Sequence, residues 1–345
     1  MGQAYLTANS YLGLIKEASG ASGTIPSTGN VYYIPVSTPQ ITPTQVFLRD
    51  EALRGSPTAI YDHVQGVRHD LVEFRSYLYA DTFPVLIQSI LGGADTVSGS
   101  SPYTHQFSLL NNPATGSQPP TYSILDFDGA NFFTTTYSVA DSLMLSFGAE
   151  VAAEATAKFM TWPYTSYASG STLPTKFATS SYSISSEHLI PSWDALVSIN
   201  GTAYTSVASG ELTFNRKTAP IFTLGTQSAF AMFAGPLEVT GKFTLVVSST
   251  SDAFSTGSSA YALTRSPEPV VITLTDPNDS SGGTQHSIAF TMSKVQFHDV
   301  KRLRGKDYTE VEVSFTANAN ATDGGSSTAY APISATVING NSGAY

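Results

Sequence analysis

The stretch "YTEVEVSFTANA", residues 308–319, sets Val311, Val313, Phe315 and Ala317 on one side of an extended chain and Glu310, Glu312, Ser314 and Thr316 on the other. That period of two is the signature of a strand with one face buried and one face wet. The same alternation recurs outward from it. "DSLMLSFGAE" (141–150) repeats it with Leu143, Leu145 and Phe147, and "WDALVSING", "GKFTLVVSS", "PVVITLTDP", "HSIAFTMSKVQF" and "PISATVING" are further strand candidates, each closed by or close to Gly, Pro, Asn, Asp or Ser turn residues. The fold class read from this is mainly β.

One segment departs from the pattern. "DTFPVLIQSILGG" (81–93) has Pro84 near its start, Val85, Leu86, Ile90 and Leu91 at helical spacing, and Gly92-Gly93 at its end. This predicts a short helix over 82–92 lying against a sheet, an α+β arrangement. Residues 18–30, 95–119 and 248–260 are rich in Ser, Gly and Thr and read as extended loops or arms, which contacts from neighbouring molecules would order. The whole chain, 1–345, reads as a single domain with an N-terminal segment 1–30 and a C-terminal segment 318–345.

Composition narrows the function. Charged residues are 12% of the chain, about half the usual share, and the net charge is −10. A general grip on nucleic acid through counterion release has no excess of Lys and Arg to work with. The absence of cysteine removes disulfides, thiolate metal sites and cysteine nucleophiles. The opening residues carry no basic-then-apolar secretory pattern, and no run reaches the roughly 18 apolar residues of a membrane span.

Catalytic motifs are missing. Gly241-Lys242 precedes Phe243 and Gly305-Lys306 precedes Asp307, so neither is a phosphate loop, and there is no nucleophile elbow or zinc helix. His63 and His69 with Asp62 and Asp70 offer metal-ligand chemistry, but their spacing crosses Gly66, and they read as surface polar residues. "DPNDSSGG" (276–283) opens like a calcium loop, yet Ser281 and Ser287 stand where Gly and Glu are needed, which leaves a tight turn. Asp126 and Asp128 in "DFDG" read as a strand end and turn. No catalytic, cofactor or metal residue is assigned, and a structural or binding role is expected.

Several stretches, in order, resemble the major tail proteins, or tail tube proteins, of phages with long non-contractile tails, particularly those infecting actinobacteria. They are "YLGLIKEASGASGTIPSTGNVYYIPVST" (11–38), "DEALRGSP" (50–57), the helix ending "SILGG", "DSLMLSFGAEVAAEATAKFMTW" (141–162), "SGELTFNRKTAPIFTLG" (209–225), "AGPLEVTGKFTLVV" (234–247) and "FTMSKVQFHDVKRLRGKDYTEVEVSFTANAN" (290–320). The resemblance implies a β-sandwich or partial barrel with a flanking helix. It also implies hexameric rings stacked into a hollow tube, a conduit for DNA in transit, in a virion assembled in the host cytoplasm. The implied partners are further copies of the chain, a tape-measure protein and tail-tip or terminator proteins, with no membrane and no cofactor.

On that reading the tube wall should carry like charge or hydroxyls toward DNA, and Glu150, Glu154, Glu211 and Glu238 are the candidate lumen acids. Lys301, Arg302, Arg304 and Lys306 form a cationic hairpin loop suited to an acidic neighbour between subunits; interleaved aromatics for stacking nucleic acid are lacking. Two alternatives stay open: a baseplate or tail-terminator ring protein of the same fold, and a carbohydrate-binding β-sandwich adhesin.

Overall fold

A computed structural model of the chain describes residues 6–52, 54–111, 116–168, 170–179, 182, 188–247, 254, 266–325 and 329–345. The first half runs β1 (Tyr11–Lys16), β2 (Tyr32–Ile34), β3 (Ser37–Asp50), β4 (Asp62–Tyr77), helix α1 (Phe83–Leu91), β5 (Thr96–Gly99), β6 (Tyr103–Ser108), β7 (Tyr122–Phe127), β8 (Asn131–Gly148), β9 (Glu154–Thr161) and β10 (Thr165–Ala168). A short helix α2 (Thr175–Thr179) precedes β11 (Leu196–Ile199), β12 (Thr202–Tyr204), β13 (Val207–Asn215), β14 (Ala219–Ile221) and β15 (Ala231–Phe233). Then come β16 (Glu238–Val246), β17 (Glu268–Ser281), β18 (Thr284–Leu303), β19 (Glu310–Ala317) and β20 (Ser334–Asn339). Every alternating stretch named above is a strand, and the chain is mainly β with large antiparallel sheets that do not close into a barrel among the described residues.

One layer has the order β3-β4-β9-β8-β13-β16-β19-β18. The first half of β18 passes into a second layer, β12-β11-β17-β18-β20-β6-β5. Their apolar faces share one core, in which Phe214 of β13 and Phe290 of β18 meet at 5.8 Å. The first half of β8 belongs to a third group, β2-β1-β7-β8-β10. Such long strands serve two sheets by breaking register: β8 between Ala140 and Ser142, β18 between Phe297 and Val300.

Ring packing in the core requires glycine at one strand crossing. Gly241 pairs with Phe315 on β19, and a Cβ there would sit 2.4 Å from the Phe315 Cζ and 2.6 Å from the Glu211 carbonyl oxygen. The ring lies over the bare backbone of β16 and stacks on Phe243 at 4.9 Å.

Helix α1 has all nine residues buried. Pro84 in the first turn spends no N–H that the helix needs, and Gly92, with φ 80°, closes the end by donating to the Gln88 carbonyl at 2.8 Å. The last carbonyls are taken by Arg216, a 3% exposed residue just after β13: Nε donates to Ile90 O at 2.8 Å and a terminal nitrogen to Leu91 O at 3.1 Å. Burial pulls this guanidinium down to about 10, so it stays charged at neutral pH and faces the negative end of the helix dipole.

One expectation about loops is corrected. Residues 95–119 contain the β5–β6 hairpin, with Tyr103, His105 and Phe107 alternating inward or sideways into the second layer, so the loop is confined to the flanks. The C-terminal segment 318–345 contributes a strand to the second layer. β20 sits between β18 and β6, and Tyr345 is buried against α1, where Gln88 donates to its carbonyl at 2.7 Å and its hydroxyl donates to Asp81 O at 2.7 Å. Residues 18–30 are loop, and at their start buried Glu17 accepts from Gly23 N, Thr121 Oγ1, Ser123 Oγ and Tyr137 N at 2.6–2.9 Å. The 248–260 loop lies outside the described residues except for Phe254, a buried ring 5.1 Å from that of Phe297.

His105 anchors the same C-terminal cluster. Nδ1 stands 2.7 Å from Asp95 Oδ2 and Nε2 2.9 Å from Asn341 O, so both ring nitrogens face acceptors, the arrangement of an imidazolium. Burial works against the charge, but the Asp95 carboxylate and the Asn341 carbonyl outweigh it and the pKa is raised. A raised folded-state value stabilises the fold fully below the unfolded value of about 6.5 and progressively less as pH climbs through the folded value. Thermal unfolding over that range should therefore show the wild type losing its advantage over His105→Asn as pH rises. For Arg216→Met, the buried Ile90 carbonyl loses its side-chain donor while Leu91 O keeps Leu110 N at 2.9 Å, and chemical denaturation should show a loss of about 1–3 kcal/mol.

Candidate assembly surfaces

The wet face of the first layer is built by strand register. Glu73, Lys158, Ser142, Asn215 and Glu238 form one cross-strand row. Arg75, Thr156, Met144, Thr213, Thr240, Thr316 and Gln296 form the next, and Tyr77, Glu154, Ser146, Glu211, Lys242 and Ser314 the third. Each row alternates with an apolar one, such as Phe74, Ala157, Leu143, Phe214, Val239 and Ala317, on the core side.

Three of the four candidate lumen acids, Glu154, Glu211 and Glu238, thus share a single hydroxyl-rich face, while Glu150 is exposed in the turn between β8 and β9. The face is not simply acidic. Lys242 reaches Glu211, Lys217 reaches Glu238 and Lys158 reaches Glu73, each at 3.0 Å. Glu150 and Glu154 have no ion pair among the described residues.

The cationic group is only partly a loop. Lys301 and Arg302 belong to β18, paired in register with Glu312 and Val311, because the alternation of β18 runs on beyond the bulge; only Arg304 and Lys306 lie in the turn before β19. Lys301 stands 3.8 Å from Glu312 and Lys306 2.8 Å from Glu310. Hydrogen bonds to Glu310 and Tyr308 raise the exposed Lys306 ammonium above its usual range. The hairpin neutralises much of its own charge, leaving Arg304 exposed at the tip.

A surface that sequence reading passed over lies at the other edge. Among the described residues β3 bonds only to β4, and the far half of this ribbon carries Val46 at 43%, Phe47 at 52%, Leu48 at 58% and Val64 at 56% exposure. Alternation puts Leu48 and Val64 on one face and Phe47 on the other, so neither face is shielded. The β14–β15 hairpin leans on it, with Arg68 N donating to Gln227 O at 2.8 Å and Phe222 6.1 Å from His69, and adds exposed Leu224 and Phe230. The signal was present in "QVFLRDEALRGSP" (45–57), three adjacent apolar residues running into turn chemistry. Apolar residues on consecutive positions of a strand cannot all face one core.

His63 and His69 both lie on β4, opposite Arg49 and Thr44. Asp126 is buried at the end of β7, where burial first and Asp128 second push its carboxyl up to about 6, while Asp128 accepts from Ala130 N and Asn131 N as a turn cap.

Among the described residues the chain thus combines mainly antiparallel sheets, open edges at β3, β5 and β12, a polar sheet face and a projecting apolar ribbon. The family described as phage tail tube protein matches residues 7–317, nine-tenths of the described fold, and the chain belongs to that family. No curated protein matches it. It is accordingly a structural component of a phage tail.

If the ion pairs of the polar face serve the surface and not the fold, Lys242→Gln should change the unfolding free energy by less than about 1 kcal/mol, as exposed pairs do.

Proposed function

We propose that the chain polymerises as stacked hexameric rings into the hollow tail tube through which the genome passes during delivery, and that it has no enzymatic role. The observation that carries this reading is the β3–β4 ribbon. Its edge strand runs from Ser37 to Asp50 with no strand paired on the outer side among the described residues, and a two-stranded ribbon with apolar side chains on both faces is marginal in water. A second copy covering that edge continues the sheet from subunit to subunit. Because the contact joins different surfaces of two copies, it closes a ring or propagates, as symmetry dictates for heterologous contacts.

In the tube, the face carrying Glu154, Glu211 and Glu238 lines the lumen, with Glu150 at its margin. Its Thr and Ser rows and internally paired charges give DNA neither a cationic grip nor a strong barrier. Lys301, Arg302, Arg304 and Lys306 meet an acidic patch of a neighbouring subunit or ring. Tape-measure and terminator proteins engage the ends of the assembly.

Negative-stain electron microscopy of the purified chain is the direct test, with hollow tubes or stacked rings of uniform diameter expected. Single rings that never stack would favour a terminator or baseplate protein of the same fold. Phe47→Ser combined with Leu224→Ser should leave a folded monomer that does not polymerise. Reversing Arg302 and Arg304 to Glu should weaken assembly and make it salt-sensitive.

A further inference from the structure

The turn between β17 and β18 is more than a reversal. Asp276 pairs with His286 across the ladder, yet the next registered pair is Ser280 with Gln285, so Pro277, Asn278 and Asp279 bulge out of register. Pro277 has no N–H to give the ladder, and Asn278 N–H turns back to donate to Asp276 Oδ1 at 2.9 Å. The bulge folds Asp279 over Asp276. His188, from a segment far earlier in the chain, arrives at the same place: a ring nitrogen of His188 and a carboxylate oxygen from each of Asp276 and Asp279 all lie within 4.8 Å of one another.

Two carboxylates this close repel unless a cation stands between them. Asp276 is 1% exposed and has no ion pair with Lys or Arg among the described residues, so a carboxylate there is held away from water beside the Asn278 N–H that donates to it. His286 stands alongside, its Nδ1 3.6 Å from Asp279 Oδ2 and its Nε2 2.9 Å from Ser281 Oγ, a hydroxyl placed to orient the ring.

We propose that His188, Asp276 and Asp279 bind a divalent transition-metal ion, Zn2+ by the chemistry of the donors, with His286 beside it. Calcium and magnesium take oxygen ligands, whereas an imidazole with carboxylates is a zinc-type set. Small rotations of exposed His188 and half-buried Asp279 bring the donors to the required distances of about 2.0–2.2 Å.

The ion acts as a structural clip. Residue 190 is already docked, Ile190 N donating to Leu78 O at 2.9 Å and Ala153 N to Ile190 O at 3.2 Å. A bond at His188 ties that docked segment to the β17–β18 tip, joining the first layer to the second across a long stretch of chain.

The test uses the full chain, freed of metal by a chelator and titrated with ZnCl2 by calorimetry and thermal shift, with CaCl2 and MgCl2 in parallel. Stoichiometric Zn2+ binding is expected, with a midpoint of unfolding that climbs with Zn2+ concentration as mass action requires. His188→Ala and Asp279→Asn should each weaken Zn2+ by more than about tenfold, while His188→Ala leaves the metal-free midpoint unchanged because the side chain is exposed. No stoichiometric Zn2+ binding by the wild type would overturn the proposal. So would binding that survives both variants and disappears in His63→Ala with His69→Ala, or Ca2+ binding as tight as Zn2+.

Discussion

Arg216 is the joint on which the layers depend. Its side chain closes the carbonyl end of α1, while its backbone N–H donates to the Asp141 carbonyl at 2.8 Å, at the point where β8 breaks register. Two residues on, Thr218 N donates to Asp141 Oδ1 at 2.8 Å and Thr218 Oγ1 to Ala140 O at 3.1 Å. One short segment therefore satisfies the groups that the β8 bulge takes out of the ladder and the groups that the helix leaves at its end. A buried cation costs desolvation unless it is well compensated; here the helix dipole and two carbonyls compensate it without a carboxylate.

The bulge so fixed lets a single strand of 18 residues turn from the third group of strands into the first layer, and β18 does the same between the first layer and the second. Because alternation continues on both sides of each bulge, all of these strands present one apolar and one polar face. The polar face of the first layer inherits its uniformity from this. Ser, Thr and paired charges stand in rows because Leu143, Phe214, Val239 and their neighbours must stand in rows on the other side. If that face lines the tube as proposed, a wall that does not hold DNA is the reverse side of a well-packed core.

Much of this was legible in the sequence, since period two, a Pro-to-Gly helix and turn residues report local geometry. The strands and the helix follow from spacing along the chain, whereas Glu211 on β13 and Glu238 on β16 share a face only through the register of those two strands. Spacing does not reveal partners across strands. That Lys242 sits opposite Glu211, or that Lys301 is a strand residue opposite Glu312, depends on register, which is set by bulges no pattern marks. The β5–β6 hairpin was hidden by its Ser and Gly content, although Tyr103, His105 and Phe107 alternate within it. The meeting of His188 with Asp276 and Asp279 is purely tertiary: "DPNDSSGG" lacks the ligands of a calcium loop in its own sequence, and one of the donors comes from elsewhere.

The pairing of charges changes how the net −10 must be understood. An acidic chain suggests a wall that repels DNA by unbalanced negative charge, but on the sheet face the acids Glu73, Glu211 and Glu238 each have a lysine at 3.0 Å. At a screening length of about 8 Å in physiological salt, such pairs act on a passing phosphate as dipoles and fall off faster than lone charges. Among the described residues, acid without a lysine partner sits at Glu154 on the same face and at Glu150 and Asp128 beyond it. If this face lines the lumen as proposed, its hydroxyls and paired charges around the lone Glu154 offer a polyanion no deep minimum, and a near-uniform potential suits passage better than strong repulsion, which would oppose entry as much as it prevents sticking. The same self-pairing governs the β18–β19 hairpin, where Glu310 and Glu312 occupy Lys306 and Lys301. What remains for a neighbouring copy to recognise is then chiefly shape and apolar surface, and the chain displays that in the β3–β4 ribbon.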